Sequence, residues 1–148
     1  MADLTSIARE AVEAFNANDW ERSKAIMTPD YVYNELGTQR RIEGPDAVIE
    51  AMKGWKEAMS DVAGTVTNAS ASGNTVTLEV TWDGTHDGPL EGPMGTIPAS
   101  GNRQVSYAAW IFDFEGERIK ESRHYFDMMT LLTQIGALPG QSAESAGA

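Results

Sequence analysis

The sequence predicts an α+β fold in which helices cover one face of a curved antiparallel or mixed sheet that curls into a cone. Three observations predict it. Helical periodicity dominates the first 60 residues, period-2 alternation dominates residues 62–126, and tight turn signals join the later strands. Helices gathered towards one end of the chain must cover one face of the sheet that follows. A sheet covered in this way has a mouth, and concave, apolar-lined mouths are where small ligands bind.

Each element has its own local reason. Leu4, Ile7, Ala8, Ala11, Val12 and Phe15 recur at helical spacing, predicting a helix over 3–16. Asp19 is an N-cap for a second helix over 20–27, which ends at Thr28-Pro29 because proline disfavours helical geometry in the residue before it. Residues 31–34 read as a short strand, Glu35-Leu36-Gly37-Thr38 as a turn, and 39–43 as a second short strand pairing back. Pro45 opens a third helix in whose first turn its missing N–H costs least, with Val48, Met52, Trp55 and Met59 as the apolar stripe.

Residues 62–71 and 75–85 are strands joined at Ser72-Gly73-Asn74. In the second, Val76, Leu78, Val80 and Trp82 alternate with polar residues. Residues 87–102, with four glycines and three prolines, read as a long loop of the kind that often serves as a lid. Strands over 104–114 and 117–126 flank the turn Glu115-Gly116. Asp127 caps a last helix over 128–135, ended by Gly136. The expected organisation is one domain over 1–138 and a flexible Gly/Ser/Ala-rich tail over 139–148.

Composition narrows the classes. A chain of 148 residues suits one sizeable core. Its net charge of −11 repels phosphate backbones and anionic lipid, which argues against nucleic-acid and membrane partners. No cysteine is present, so disulfides, thiolate metal sites and cysteine nucleophiles are excluded. The expectation is a cytoplasmic protein. The start lacks a basic segment followed by an apolar one, and no apolar run approaches the roughly 18 residues of a membrane span.

Several segments together carry a family likeness. They are the run from Ala14 to Trp20 (AFNANDW), Met27 to Asn34 (MTPDYVYN), Gly44-Pro45-Asp46 before a helix, Trp82 to Leu90 (WDGTHDGPL) with Ile97 to Gly101 (IPASG), and Phe112 to Glu121 (FDFEGERIKE). In this order they resemble the SnoaL-like polyketide-cyclase and ester-cyclase branch of the nuclear-transport-factor-2-like superfamily, over residues 8–138. The resemblance implies a cystatin-like α+β barrel, commonly a homodimer through the outer sheet face, and cofactor-independent chemistry. Relatives by fold include ketosteroid isomerases, an epoxide hydrolase and non-catalytic binding modules, so the fold does not name the activity. One departure stands out. Where the cyclases carry a histidine and, two residues on, an acid/base aspartate, this sequence has Ser122 and His124.

The site candidates follow. Ser122, His124 and Phe126 share one face of the last strand, and the family points that face into the cone. An imidazole of ordinary pKa, ~6.5, supplies a neutral base near pH 7, which makes His124 the candidate for taking a proton from carbon beside a carbonyl. His86 is the second catalytic candidate, placed at the mouth unless Asp83-Gly84 bulges the strand and reverses its parity; its alternative role is holding the following loop in place. Asn34 is a candidate donor to an enolate oxygen or a turn residue. Trp82, Tyr107 and Met94 are candidate walls, with Tyr107 opposite in parity to Trp110. Trp55 and Trp110 are assigned to core or dimer interface. Asp127 is assigned to helix capping. Arg123 and Glu121, on the other face of the last strand, pair either across a dimer or on the surface. No metal-ligating set, nucleophile elbow, Asp-Arg-Asp arrangement or phosphate-cradling glycine motif is visible.

Three functions remain open. The first is a cofactor-independent cyclase or isomerase acting on a small apolar carbonyl compound, with His124 as base and Asn34 or His86 assisting the oxygen. The second is a non-catalytic small-molecule binder. The third is an association module, suggested by Trp110, Phe112 and Phe114 on one strand face, which helices or a partner must cover.

Overall fold

The computed structural model describes residues 3–92 and 95–138. α1 (Leu4–Asn16) and α2 (Trp20–Ala25) each begin at an aspartate whose side chain accepts a backbone N–H: Asp3 from Thr5 and Asp19 from Arg22. Such caps contribute about 1 kcal/mol each. The apolar stripe of α1 is buried from Ala8 to Phe15. β1 (Met27–Glu35), β2 (Arg40–Glu43), α3 (Pro45–Ala58), β3 (Ala63–Ser72) and β4 (Thr75–Thr85) follow. Then come β5 (Leu90–Gly92), β6 (Gly95–Ile97), β7 (Arg103–Glu115), β8 (Arg118–Phe126) and α4 (Met128–Gln134).

Six strands form one mixed sheet in the order β2-β1-β8-β7-β4-β3, with β5 and β6 as a separate hairpin. Every neighbouring pair is antiparallel except β1 and β8, which run parallel and join the two halves of the chain. Irregularities fall between Met27 and Val32, Val66 and Asn68, and Asp113 and Phe114. An extra residue on one strand bends it and raises its twist, which is how the sheet acquires its curvature. α1 packs on β3 and β4, α3 on β1, and α4 on β7.

The long register between β4 and β7 positions the site. It runs unbroken from Thr75 opposite Asp113 to Thr85 opposite Arg103. The Asp83-Gly84 pair therefore makes no bulge, and Trp82 stays on the inner face. Gln104, Ser106, Ala108, Trp110, Phe112 and Phe114 of β7 are all buried on that same face, while Tyr107 between them is 74% exposed. Two expectations are corrected here. Tyr107 is not a cavity wall. The apolar face formed by Trp110, Phe112 and Phe114 turns inward beneath the helices, so it is no argument for association. Phe112 and Leu78 retain no exposure, each contributing about 1.5–3 kcal/mol of burial.

Two segments differ from their sequence reading. β1 starts directly after α2 and runs through Pro29, which has no N–H to pair. It is tolerated because β1 has no paired register with β8 between Met27 and Val32. Residues 87–102 hold the β5–β6 hairpin rather than a structureless loop. Leu90 is buried, and Gly88 donates its N–H to Ala58 O at 3.0 Å. A Cβ on Gly88 would stand 2.0 Å from the Glu57 carbonyl oxygen, so only glycine allows this close anchoring to the end of α3. The 139–148 tail lies outside the described residues.

Candidate functional site

A cavity of about 60 Å³ opens between the concave sheet face and helices α1, α3 and α4. Its walls are mostly aromatic, with Phe15 from α1, Trp55 from α3, Trp82 from β4, Trp110 from β7 and Phe126 from β8. The strand period explains the gathering, because alternate residues of three adjacent strands point the same way. Met52, Met59 and Leu131 complete the apolar lining.

Four of the cavity's residues, Trp82, His124, Tyr33 and Glu35, form one connected polar chain. Trp82 Nε1 lies 3.2 Å from His124 Nε2, His124 Nδ1 lies 2.8 Å from the Tyr33 hydroxyl, and that hydroxyl lies 3.0 Å from Glu35 Oε2. An indole N–H only donates and an ionised carboxylate only accepts, so the proton positions follow. Nε2 of His124 is bare, Nδ1 carries the proton and gives it to Tyr33 oxygen, and the tyrosine O–H points to Glu35. The imidazole also stacks on the Trp110 indole, with centroids 4.4 Å apart and planes within 9°.

Glu35 ends the chain with no exposed surface of its own. Its second oxygen receives the Thr38 hydroxyl at 2.5 Å and the Arg40 guanidinium at 2.6 Å, and Trp55 Nε1 donates to Oε2 at 3.0 Å. Burial pushes this carboxyl up, but the Thr38 hydroxyl and Arg40 outweigh it and hold it below the usual carboxylate range. Burial drives the His124 pKa down to about 4, against a smaller upward pull from Glu35. Burial, followed by the Glu35 charge, pushes the Tyr33 hydroxyl well above its ordinary value. At neutral pH the site is an anion, a neutral phenol and a neutral imidazole in series. Among the described residues no group of three His, Asp or Glu side chains could hold a metal ion.

Residues 5–135 match the SnoaL-like polyketide cyclases. The chain belongs to this family. Comparison with curated proteins finds no significant sequence match. Among solved structures, AclR from Streptomyces galilaeus, a proposed hydroxylase, is 24% identical, with a TM-score of 0.79 over 94% of this chain and 84% of that one. IdmH from Streptomyces antibioticus, a proposed polyketide cyclase, is 21% identical, with a TM-score of 0.79 over 91% and 99%. A Catenulispora acidiphila protein with a ketosteroid isomerase-like fold, solved with trimethylamine, is 18% identical, with a TM-score of 0.75 over 89% and 93%. These likenesses show the nuclear-transport-factor-2 and ketosteroid isomerase-like fold.

This SnoaL-like chain distributes the residues singled out from its sequence unevenly. His124, Trp82 and Phe126 line the cavity. Ser122 does not: it is buried outside the cavity lining, 2.6 Å from the Tyr31 hydroxyl. Asn34 lies on the other face of β1 and donates to Glu121 Oε2 and Ser122 O, both at 3.0 Å, so it offers nothing to an enolate. His86 is buried outside the cavity lining. Its Nδ1 meets the Ser100 hydroxyl at 3.0 Å, and its backbone exchanges hydrogen bonds with Gly101 and Asn102. It is the clamp of the 87–102 segment. Met94 lies outside the described residues. Trp55 and Trp110, assigned to core or interface, are cavity walls. Asp127 caps α4 through the Thr130 N–H, and Arg123 pairs with Asp113 on the neighbouring strand at 2.6 Å.

Sequence reasoning missed Glu35, Tyr33 and Gln104. In the sequence Glu35 opens the turn Glu35-Leu36-Gly37-Thr38. Parity with Tyr31 and Tyr33 places it on the inward face once the strand is extended by one residue. Gln104 likewise shares parity with Ser106 and Trp110.

Proposed function

We propose that this chain is a cofactor-independent enzyme that moves a proton on a small apolar carbonyl compound, in a cyclisation or isomerisation. The observation that carries the reading is the buried series Glu35–Tyr33–His124, which ends at the cavity wall. A neutral imidazole backed by a carboxylate through one hydroxyl is an arrangement for general base catalysis. Nε2 of His124 takes the proton from carbon beside the carbonyl, and the C–H electron pair passes into an enolate. The imidazolium charge is balanced by Glu35 through Tyr33. Trp82 N–H, displaced from Nε2, is left to donate to the enolate oxygen. Membership of a cyclase family and the apolar cavity walls support a small-molecule-processing enzyme.

A second reading, a binder without catalysis, is favoured by one observation: both ring nitrogens of His124 already have partners, and burial leaves the ring a weak base.

Hydrogen–deuterium exchange at the α-carbon of small cyclic ketones in D2O, followed by proton NMR, separates the two. The expected result is protein-dependent exchange, accelerated on the order of 10²-fold or more by a positioned base and lost in His124→Phe. Ketones that bind but exchange no faster than in buffer would leave the binder reading standing.

A further inference from the structure

The end of the cavity under α4 holds a polar group that the proton-moving series does not use. β8 pairs with β7 only as far as Phe126 opposite Ala108, so Gln104 and Ser106 further along β7 have no strand on that side. Across β4, Gln104 faces Gly84, which has no side chain. The space is roofed by α4: Leu131 lines the cavity, and Gln134 holds Val105 by bonds to its N–H and carbonyl at 2.5 and 2.8 Å. Gln104 is 1% exposed and lines the cavity. Its amide nitrogen donates weakly to Trp82 O at 3.4 Å, and its Oε1 has no protein partner. Turning the amide over would set two carbonyl oxygens against each other, so the oxygen is the free end.

A buried acceptor without a donor is costly, and native structures keep few of them. We propose that Gln104 Oε1 is a ligand-reading acceptor for a hydroxyl on the molecule that fills the cavity, with Ser106 beside it on the same face. The ligand class is thereby a hydroxylated ring, of phenol or cyclic-alcohol type, lying with its hydroxyl under α4. This subsite belongs to the cavity described above and rests on the reading that a small molecule enters it. It does not depend on whether that molecule reacts.

The test uses phenol and toluene, which are close in shape and unreactive here. Binding of each to the full chain is measured by calorimetry, with the ring signals of His124 in NMR confirming entry to the cavity. The ratio of phenol to toluene affinity is compared between wild type and Gln104→Leu. The expected result is a ratio about tenfold lower in the variant, the worth of one such hydrogen bond. Gln104→Met serves the same comparison if the leucine variant fails to fold. An unchanged ratio overturns the subsite while leaving the cavity and the ketone-exchange experiment untouched. Failure of both probes to perturb His124 in wild type overturns the subsite together with the cavity reading.

Discussion

The indole N–H of Trp82 points at Nε2 of His124 across 3.2 Å, and this contact sets the tautomer of the histidine. Nε2 must be unprotonated to accept it, so the ring proton sits on Nδ1 towards Tyr33. Long-range proton–nitrogen NMR is expected to show a neutral ring protonated at Nδ1 from pH 8 down to about pH 5. A ring protonated at Nε2, or one titrating near its ordinary pKa, would contradict the network.

Stability follows the same histidine. Its folded pKa, about 4, lies below the ordinary 6.5. The unfolded chain therefore binds the extra proton first, and stability falls as pH drops from about 6.5 to about 4, by on the order of 3 kcal/mol. His86, also held low by its burial, acts in the same direction. Urea denaturation between pH 7.5 and 4.5 is expected to show a steeper loss for wild type than for His124→Phe. Parallel curves would show that His124 is not buried neutral.

Glu35→Gln removes the only charge of the series while keeping its shape. Arg40, nearly half exposed, turns to water, so the cost stays below that of breaking a fully buried pair. The expected loss is about 2–3 kcal/mol in urea denaturation, the worth of hydrogen bonds to a charged group. Ketone exchange falls with it, because nothing then balances an imidazolium at His124.

Gly64 gives Trp82 its place. A Cβ there would lie 2.7 Å from the indole ring, and Asn16 pins the backbone on both sides, accepting from Gly64 N–H and donating to Gly64 O at 2.9 Å. In Gly64→Ala the ring must move off His124, at about 1–3 kcal/mol for overpacking. The tautomer signal of His124 is expected to become mixed. An alanine variant with the wild-type signal would show that the strand, not the ring, yields.

Asp127, assigned to helix capping from the sequence, sits at the start of α4 and accepts the Thr130 N–H at 3.1 Å. Asp127→Ala is expected to cost about 1 kcal/mol and to leave phenol binding and ketone exchange unchanged. A loss of exchange without a loss of stability would reverse the assignment.

Features governed by local chemistry are legible in the order of the residues. The aspartate caps at Asp19 and Asp127, the Pro45 helix start and the Ser72–Asn74 hairpin are set by neighbours a few residues away. So are the alternation along β4 that puts Trp82 inside and the last-strand parity that sets Ser122, His124 and Phe126 on one face. The tertiary structure decided the rest. Whether Tyr107 or Trp110 faced inward required knowing which side of the sheet the helices cover, since parity fixes only that the two are opposed. Asn34 and Glu35, adjacent in sequence, part to opposite faces because β1 runs one residue further before turning. His86 left the site because the strand ends at Thr85 and the next residues bend back onto α3. The Glu35–Tyr33–His124–Trp82 series joins residues up to 91 positions apart: the parallel pairing of β1 with β8 sets Tyr33 and Glu35 beside His124, and the antiparallel ladders of β7 with β8 and with β4 bring Trp82 to it.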